Sequence, residues 1–200
     1  MLGPTIVSSE VAGRAVTLVA PCHTHADALA TVLGEEGRDY LGIEGPVTPQ
    51  YLAQQAAIFA EGSSVAWTIL YKAGEKEEVV GWVEMYIPSG RVPGRSSKQR
   101  VSVGSLSLFI GHRWRRRGIG RSAAMAALGF AFDTLRLEEL TTALFQERNA
   151  MPEGSVLANQ VGFSEWRTES TDVQWITRSI GRLTAARWKT LPSHLTLVFA

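Results

Sequence analysis

The chain has 200 residues, 45% hydrophobic and 20% charged, which is enough to bury one sizeable core without a second domain. Its formal net charge of +1 excludes a general nucleic-acid binder built on a broad basic excess, so any anion site must be local. The one cysteine, Cys22, excludes an intrachain disulfide and a cysteine-based metal cluster and fits a reducing cytoplasm; with no signal-peptide pattern in residues 1–10 and no apolar run near the ~20 residues that span a bilayer, a soluble cytoplasmic protein is expected.

After a flexible N-terminus over residues 1–10, Ala15 to Ala20 reads as a short strand, and a polar break at Pro21 to Thr24 leads into a small-residue helix carrying Ala28, Leu29, Val32 and Leu33. Glu35 to Val47 reads as a loop. Thr48 and Pro49 then form an N-cap and first-turn pair for a helix to about Ala60. Val65 to Tyr71 and Val79 to Ile87 are rich in β-branched and aromatic residues and predict antiparallel strands joined across the charged segment Lys72 to Glu78. Pro88 to Arg100 has the composition of an exposed, mobile rim, and Val101 to Ile110 resumes a strand.

From Gly118 to Leu135 the apolar positions Ala124, Leu128, Ala131 and Leu135 recur at helical spacing, predicting a long helix packed on the sheet. Leu140 to Phe145 predicts a strand, Glu153 to Val161 a short helix, and Phe163 to Thr168 a strand after Gly162. Val173 to Ile180 suits a further strand, Thr184 caps a short helix through Trp188, and residues 185–200 are read as a C-terminal extension. The order is mixed α/β, and no internal repeat or low-complexity tract is present.

The chemistry concentrates between Leu106 and Leu135, where an apolar strand runs into His112-Arg113-Trp114-Arg115-Arg116-Arg117-Gly118-Ile119-Gly120-Arg121 and then the long helix. A glycine pair at a helix start lets unpaired backbone N–H groups converge on one spot, and the positive end of the helix dipole adds to them. At ~1.5 to 3 kcal/mol per charge-assisted hydrogen bond, a few amides and a guanidinium can hold a pyrophosphate without a metal. A P-loop is excluded, because its lysine and the four-residue gap between its glycines are missing. Gly118, Gly120 and Ala123 match the glycines of a dinucleotide fingerprint. Seven basic-rich residues, however, separate them from the strand, and Glu138 and Glu139 precede the next strand rather than close it.

Arg115-Arg116-Arg117-Gly118-Ile119-Gly120 resembles the acyl-CoA signature Gln/Arg-x-x-Gly-x-Gly/Ala of the GNAT acetyltransferases, and the order of elements through Gly162-Phe163 is similar to the RimJ/RimL-like branch. The resemblance implies a single GNAT domain over residues 1–200, a strongly twisted mixed sheet flanked by helices, whose middle parallel strands splay apart to admit a pantetheine arm. It implies an N-acetyltransferase using acetyl-CoA as donor, with no metal. The donor would be held by the amides of Arg116, Arg117, Gly118, Ile119, Gly120 and Arg121, with Arg115, Ser122, Phe109, Ile110 and Asn149 around it. The acceptor would be a primary amine, on a protein N-terminus or a small molecule, attacking directly in a ternary complex. A catalytically silent acyl-CoA-binding module is the alternative.

Three departures bear on catalysis. Many relatives carry a glutamate on the strand before the signature. Here Ser105, Ser107 and Phe109 share one face of it, with Leu106, Leu108 and Ile110 on the other. Asn149, Ser155 and Gly162 follow the family order but are spaced six and seven apart, and no tyrosine follows Tyr86 to protonate a departing thiolate. Ser155 or a water is the remaining candidate acid. Glu84 is the candidate base, because strand alternation places it with Trp82 and Tyr86, an apolar setting that raises a carboxylate pKa; a sheet glutamate without chemistry is the plain alternative. An acceptor α-amine near ~7.8 needs less help than a lysine near ~10.4, whose deprotonation at neutral pH costs about 4 to 5 kcal/mol.

The basic run Arg113 to Arg121 is also readable as a solvated or RNA-contacting patch, but the interleaved glycines favour a CoA loop. Cys22, His23 and His25 are read as ordinary loop residues. Glu35, Glu36, Asp39 and Glu44 are placed in the loop where relatives build the acceptor pocket, where they either attract a cationic amine or are simply solvated. Trp166, Trp175 and Trp188 are assigned to the core or to contact with a second copy in a homodimer.

Overall fold

The computed structural model describes residues 5–7, 14–41, 45–46, 48–51, 54, 64–88, 103–147, 154–170, 176–192 and 198–199. Nine strands are present among them: β1 (Ile6–Val7), β2 (Arg14–Val19), β3 (Ser64–Ala73), β4 (Lys76–Tyr86), β5 (Val103–Ile110), β6 (Glu139–Glu147), β7 (Ser164–Ser170), β8 (Ile176–Thr184) and β9 (Val198–Phe199). They form one sheet in the order β7-β8-β6-β5-β4-β3-β2-β1-β9. All neighbours are antiparallel except β5 and β6. The helices are α1 (Ala26–Leu41), α2 (Ile119–Gly129), α3 (Gly154–Gln160) and α4 (Ala185–Trp188). A parallel pair needs a crossover, and α2 supplies it.

The sheet separates two apolar layers. On one face Val16, Leu18, Val65, Trp67, Ile69, Val83, Met85, Leu106 and Ile110 meet the buried side of α2, including Ala124 and Leu128, with Trp67 edge-on to Phe130 at 5.4 Å. On the other face Ala66, Trp82 and Phe109 pack against Ala26, Leu29 and Leu33 of α1. This is the two-sided burial expected of β3, whose first eight residues are all buried and whose sequence is nearly continuous in apolar residues. The alternation read along β5 holds, with Leu106, Leu108 and Ile110 in the larger layer and Phe109 in the smaller.

Several boundaries differ from expectation. The β3–β4 hairpin turns on Gly74 and Glu75, so both strands run further into the charged segment than read. Glu35–Leu41 is helical: the helix breaks at Gly34 (φ 53, ψ −150), a conformation that only glycine adopts readily, and then resumes. The predicted long helix is α-helical to Gly129 and π-helical over Phe130–Thr134. Ile6, in the stretch read as a flexible N-terminus, is fully buried in β1, and β9 in the supposed C-terminal extension pairs with β1. The Thr48 cap is formed, with Tyr51 N–H donating to Thr48 Oγ1 at 3.1 Å, although most of the helix expected up to Ala60 lies outside the described residues, as does the rim from residue 89 to 100. Thr184 caps α4 by accepting from Arg187 N–H.

Trp166 and Trp188 face inward. Trp166 donates to Asn159 Oδ1 at 2.8 Å and covers Gly181, where a Cβ would lie 2.6 Å from the ring. Trp188 stacks on Phe132 at 5.7 Å. Trp175 lies outside the described residues.

Candidate active site

At the end of β5, Gly111 N–H donates to the Val80 carbonyl at 3.0 Å, and a single 3-10 turn over His112–Trp114 buries the Trp114 ring. The guanidiniums of Arg113 and Arg117 lie 4.8 and 5.2 Å from that ring's centre, and Tyr71 meets it edge-on at 5.9 Å. Trp114 thus roots the basic loop in the core while the charges stay in water. Arg115 is extended, Arg116 is left-handed (φ 60) and Gly118 is left-handed (φ 82). Those two reversals bring the chain into α2, whose first backbone bond runs from Ser122 N–H to the Gly118 carbonyl at 3.0 Å.

No side chain caps α2. The amides of Ile119, Gly120 and Arg121 have no intrahelical acceptor, and they point out of the helix start beside the exposed Arg116, Arg117 and Arg121. Free amides beside cationic side chains form an arrangement that can accept an anion. The two glycines serve different ends. A Cβ on Gly118 would meet nothing within 4 Å, so glycine is needed there for its positive φ. A Cβ on Gly120 would lie 3.3 Å from Leu157 and 3.4 Å from Ile110, so glycine there seats the helix start against β5 and α3. Ile119 is buried and can contribute only its amide; Ser122, whose amide is used inside the helix, keeps a half-buried side chain near the turn.

Beside this turn the sheet opens. β5 and β6 pair only at Val103–Glu139, Gly104–Leu140 and Ser105–Thr141. The hydroxyls of Thr141 and Thr142 donate to the carbonyls of Gly104 at 3.2 Å and Leu106 at 3.0 Å, ending the pairing. Beyond that point β5 and β6 part. The bond from Gly111 N–H to the Val80 carbonyl fixes the hydrogen-bonding phase of β5, so the backbone of Leu108 faces away from β4 toward the gap, as does the Ile110 carbonyl that Arg115 Nε engages at 2.9 Å. Phe109 and Ile110 therefore flank the gap where it meets the turn.

On the α1 face Glu84 stands opposite Ser107, about 10 Å along β5 from Ile110 at the usual rise per residue. Glu84 is half-buried. Burial pushes its carboxyl above the usual range, against a smaller opposing pull from a Trp82 side-chain hydrogen bond. Tyr51, part of the same apolar layer, has its phenol pushed up first by burial and then by the charge of Glu84. Sequence reasoning missed Tyr51: the Thr48 cap placed it in a first helical turn, but nothing local indicates which strand that turn meets. Ser155 is half-buried in the first turn of α3, two residues before the Leu157 that touches Gly120. Asn149 lies outside the described residues.

The acids read as a loop cluster divide. Glu35 and Glu36 are exposed on the helical second half of α1, and Glu36 Oε1 accepts from an Arg115 terminal nitrogen at 2.5 Å. Arg115 Nε also donates to the Ile110 carbonyl at 2.9 Å. Asp39 has helical backbone, and Glu44 lies outside the described residues. Cys22 Sγ lies 2.9 Å from Thr24 Oγ1 and 3.3 Å from His25 Nδ1, a local turn contact. Among the described residues no group of three or more His, Cys, Asp or Glu converges.

A helix start that gathers free amides beside a split parallel pair has the chemistry to suit an anionic, strand-like cosubstrate. The acetyltransferase (GNAT) domain family matches residues 15–152, more than half of the sequence. The chain belongs to the GNAT acetyltransferase family and is an N-acetyltransferase. Among solved structures it is similar to Mycobacterium smegmatis RimJ in complex with CoA-disulfide, at TM-score 0.65 and 16% identity over 92% of this chain and 88% of that one. It is similar to the microcin C7 self-immunity acetyltransferase MccE in complex with acetyl-CoA and AMP, at TM-score 0.61 and 11% identity over 84% and 92%. It is also similar to the ribosomal-protein-S5-alanine acetyltransferase of Vibrio fischeri, at TM-score 0.61 and 16% identity over 91% and 98%. At such identities the likeness is one of fold. No curated protein matches the sequence significantly.

Proposed function

We propose that the enzyme transfers an acetyl group from acetyl-CoA to a primary amine, on a protein N-terminus or a small molecule, by direct attack in a ternary complex. The observation that carries this reading is the uncapped start of α2 opening onto the gap between β5 and β6. The amides from Arg116 to Arg121 face the pyrophosphate, and the exposed arginines add charge for the remaining phosphate. The amide-bearing arm of the donor then pairs with the backbone edge of β5 at Leu108. Its thioester is thereby presented to the α1 face.

On that face the amine must be neutral to attack. Glu84, with its raised pKa, accepts the ammonium proton directly or through a water and later returns it to solvent; the neutral nitrogen forms the C–N bond as the C–S bond breaks, and the second proton that this nitrogen loses passes through Ser155 or a water to the departing thiolate, giving the amide and CoA thiol. The α-amine suits a site with one modest base, because it lies near neutrality already. The likeness to RimJ and to a ribosomal-protein alanine acetyltransferase supports a protein N-terminus, in a RimJ/RimL-like enzyme working in the cytoplasm. No described helix is long and apolar enough to cross a membrane.

Calorimetric titration with acetyl-CoA and CoA tests the donor site. The wild type is expected to bind both and Gly118→Trp neither, since that substitution places a ring at the turn and strains φ 82. A folded wild type that binds neither ligand would sink the reading. Thiol release with a panel of peptides and small amines then identifies the acceptor.

A further inference from the structure

Arg115 opens the anion-binding turn, yet its guanidinium is engaged with β5 and α1. It is held by the Ile110 carbonyl and the Glu36 carboxylate, and it lies 5.5 Å from the centre of the Phe109 ring. Glu36 belongs to the half of α1 that follows the break at Gly34. In that half Gly37 fits against Phe109, where a Cβ would stand 3.0 Å from the ring, and Arg38 braces it through the carbonyls of Gly34 at 2.9 Å and Gly45 at 3.1 Å. Residues 35–41 thus form one unit over the acceptor face, tied to the donor turn through Glu36 and Arg115.

The turn depends on such ties. Arg116 carries a side chain in a left-handed conformation, which L-residues resist, and no side chain caps the helix that follows. Its amides converge on an anion only while both reversals are kept.

We propose that Glu36 is a positioning residue of the donor site: through Arg115 it holds the signature turn in its anion-binding conformation and links donor binding to the packing of residues 35–41. The inference rests on the CoA reading above. It has a distinctive sign. Removing a negative charge near a polyanion site strengthens binding if only the field matters, whereas loss of a positioning contact weakens it.

Calorimetric titration with CoA compares the wild type with Glu36→Gln, Glu36→Asp and, as a control one residue away, Glu35→Gln. Glu36→Gln is expected to bind CoA about three- to fivefold more weakly, as befits a half-exposed ion pair, and Glu36→Asp to recover part of that loss. Glu35→Gln should bind as tightly as wild type or slightly more so. In hydrogen exchange, CoA should slow the amides of residues 35–41 in the wild type and do so less in Glu36→Gln. If Glu36→Gln binds CoA as tightly as wild type or tighter, or if CoA leaves residues 35–41 unprotected, the inference is overturned while the CoA reading stands. A wild type that binds no CoA removes both.

Discussion

Glu84 sits where ionisation is costly, between Trp82 and Ser107 on a half-buried sheet face, and that cost connects its two expected effects. Its folded-state pKa is raised, mainly by burial. A raised pKa contributes stability that is fully present below the unfolded glutamate value and lost as pH rises through the folded value. Above the folded value the ionised carboxylate therefore weighs against the fold, and it is this form that acts as base in the proposed reaction. Glu84→Gln is expected to melt higher than wild type once pH exceeds the raised folded-state value and to converge with it below about pH 4. The same variant should lose about a hundredfold in kcat/KM, the usual scale of a general base. The rising limb of the wild-type pH–rate profile, set above the ordinary carboxylate range, should disappear with it. An unchanged profile would assign Glu84 to the sheet alone. At this scale the sequence was informative where structure is local: glycine spacing put Gly118 and Gly120 at the start of α2, and alternation put Glu84 on the strand face of Trp82, where the structure has them. It was silent on Tyr51 and on the engagement of Arg115 by Glu36, because both contacts join segments far apart in the chain.

Elements were legible wherever burial imposes a clean period. β4, β5 and α2 are read from it, β3 from a nearly continuous apolar run, and the four assignments hold to within a few residues at either end. The exceptions have physical causes. Glu35 to Val47 reads as a loop because acids and glycines dominate it, but Gly34 supplies a break that only glycine adopts readily, after which Gly37 packs on Phe109 and the helix resumes. The strands of the hairpin run longer than read because antiparallel pairing with β2 and β4 carries Lys72 and Ala73 along. Gly81 shows how tightly β4 and β5 meet: a Cβ there would stand 2.2 Å from the Phe109 carbonyl. Gly81→Ala must force backbone apart beside the gap. It is expected to cost about 3 kcal/mol, lowering the melting temperature by roughly 6 to 12 °C in a chain of this size, as calorimetry or circular dichroism would show. A shift under about 2 °C would mean that the strands adjust freely.

At the scale of the whole molecule, the donor turn is fixed to both apolar layers, through Trp114 and Ile119 in one and Phe109 in the other. Donor binding should therefore stabilise the entire cooperative unit. Saturation with CoA at about a hundredfold above Kd corresponds to about 2.7 kcal/mol, or roughly 5 to 10 °C in melting temperature. Gly118→Trp should show no such shift. Residue chemistry, hydrophobic period and glycine spacing are properties of neighbours in sequence, so the sequence by itself determined the order of elements from β2 to α4, the mixed α/β class, the glycine-bearing turn before α2 and the likeness to GNAT enzymes. Only the tertiary structure decided that β5 and β6 part after Ser105 and Thr141, that residues 6–7 and 198–199 close one edge of the sheet, and that Glu36 and Tyr51 border the site. Each of these depends on which distant segments come into register, and that is settled by packing across the whole fold.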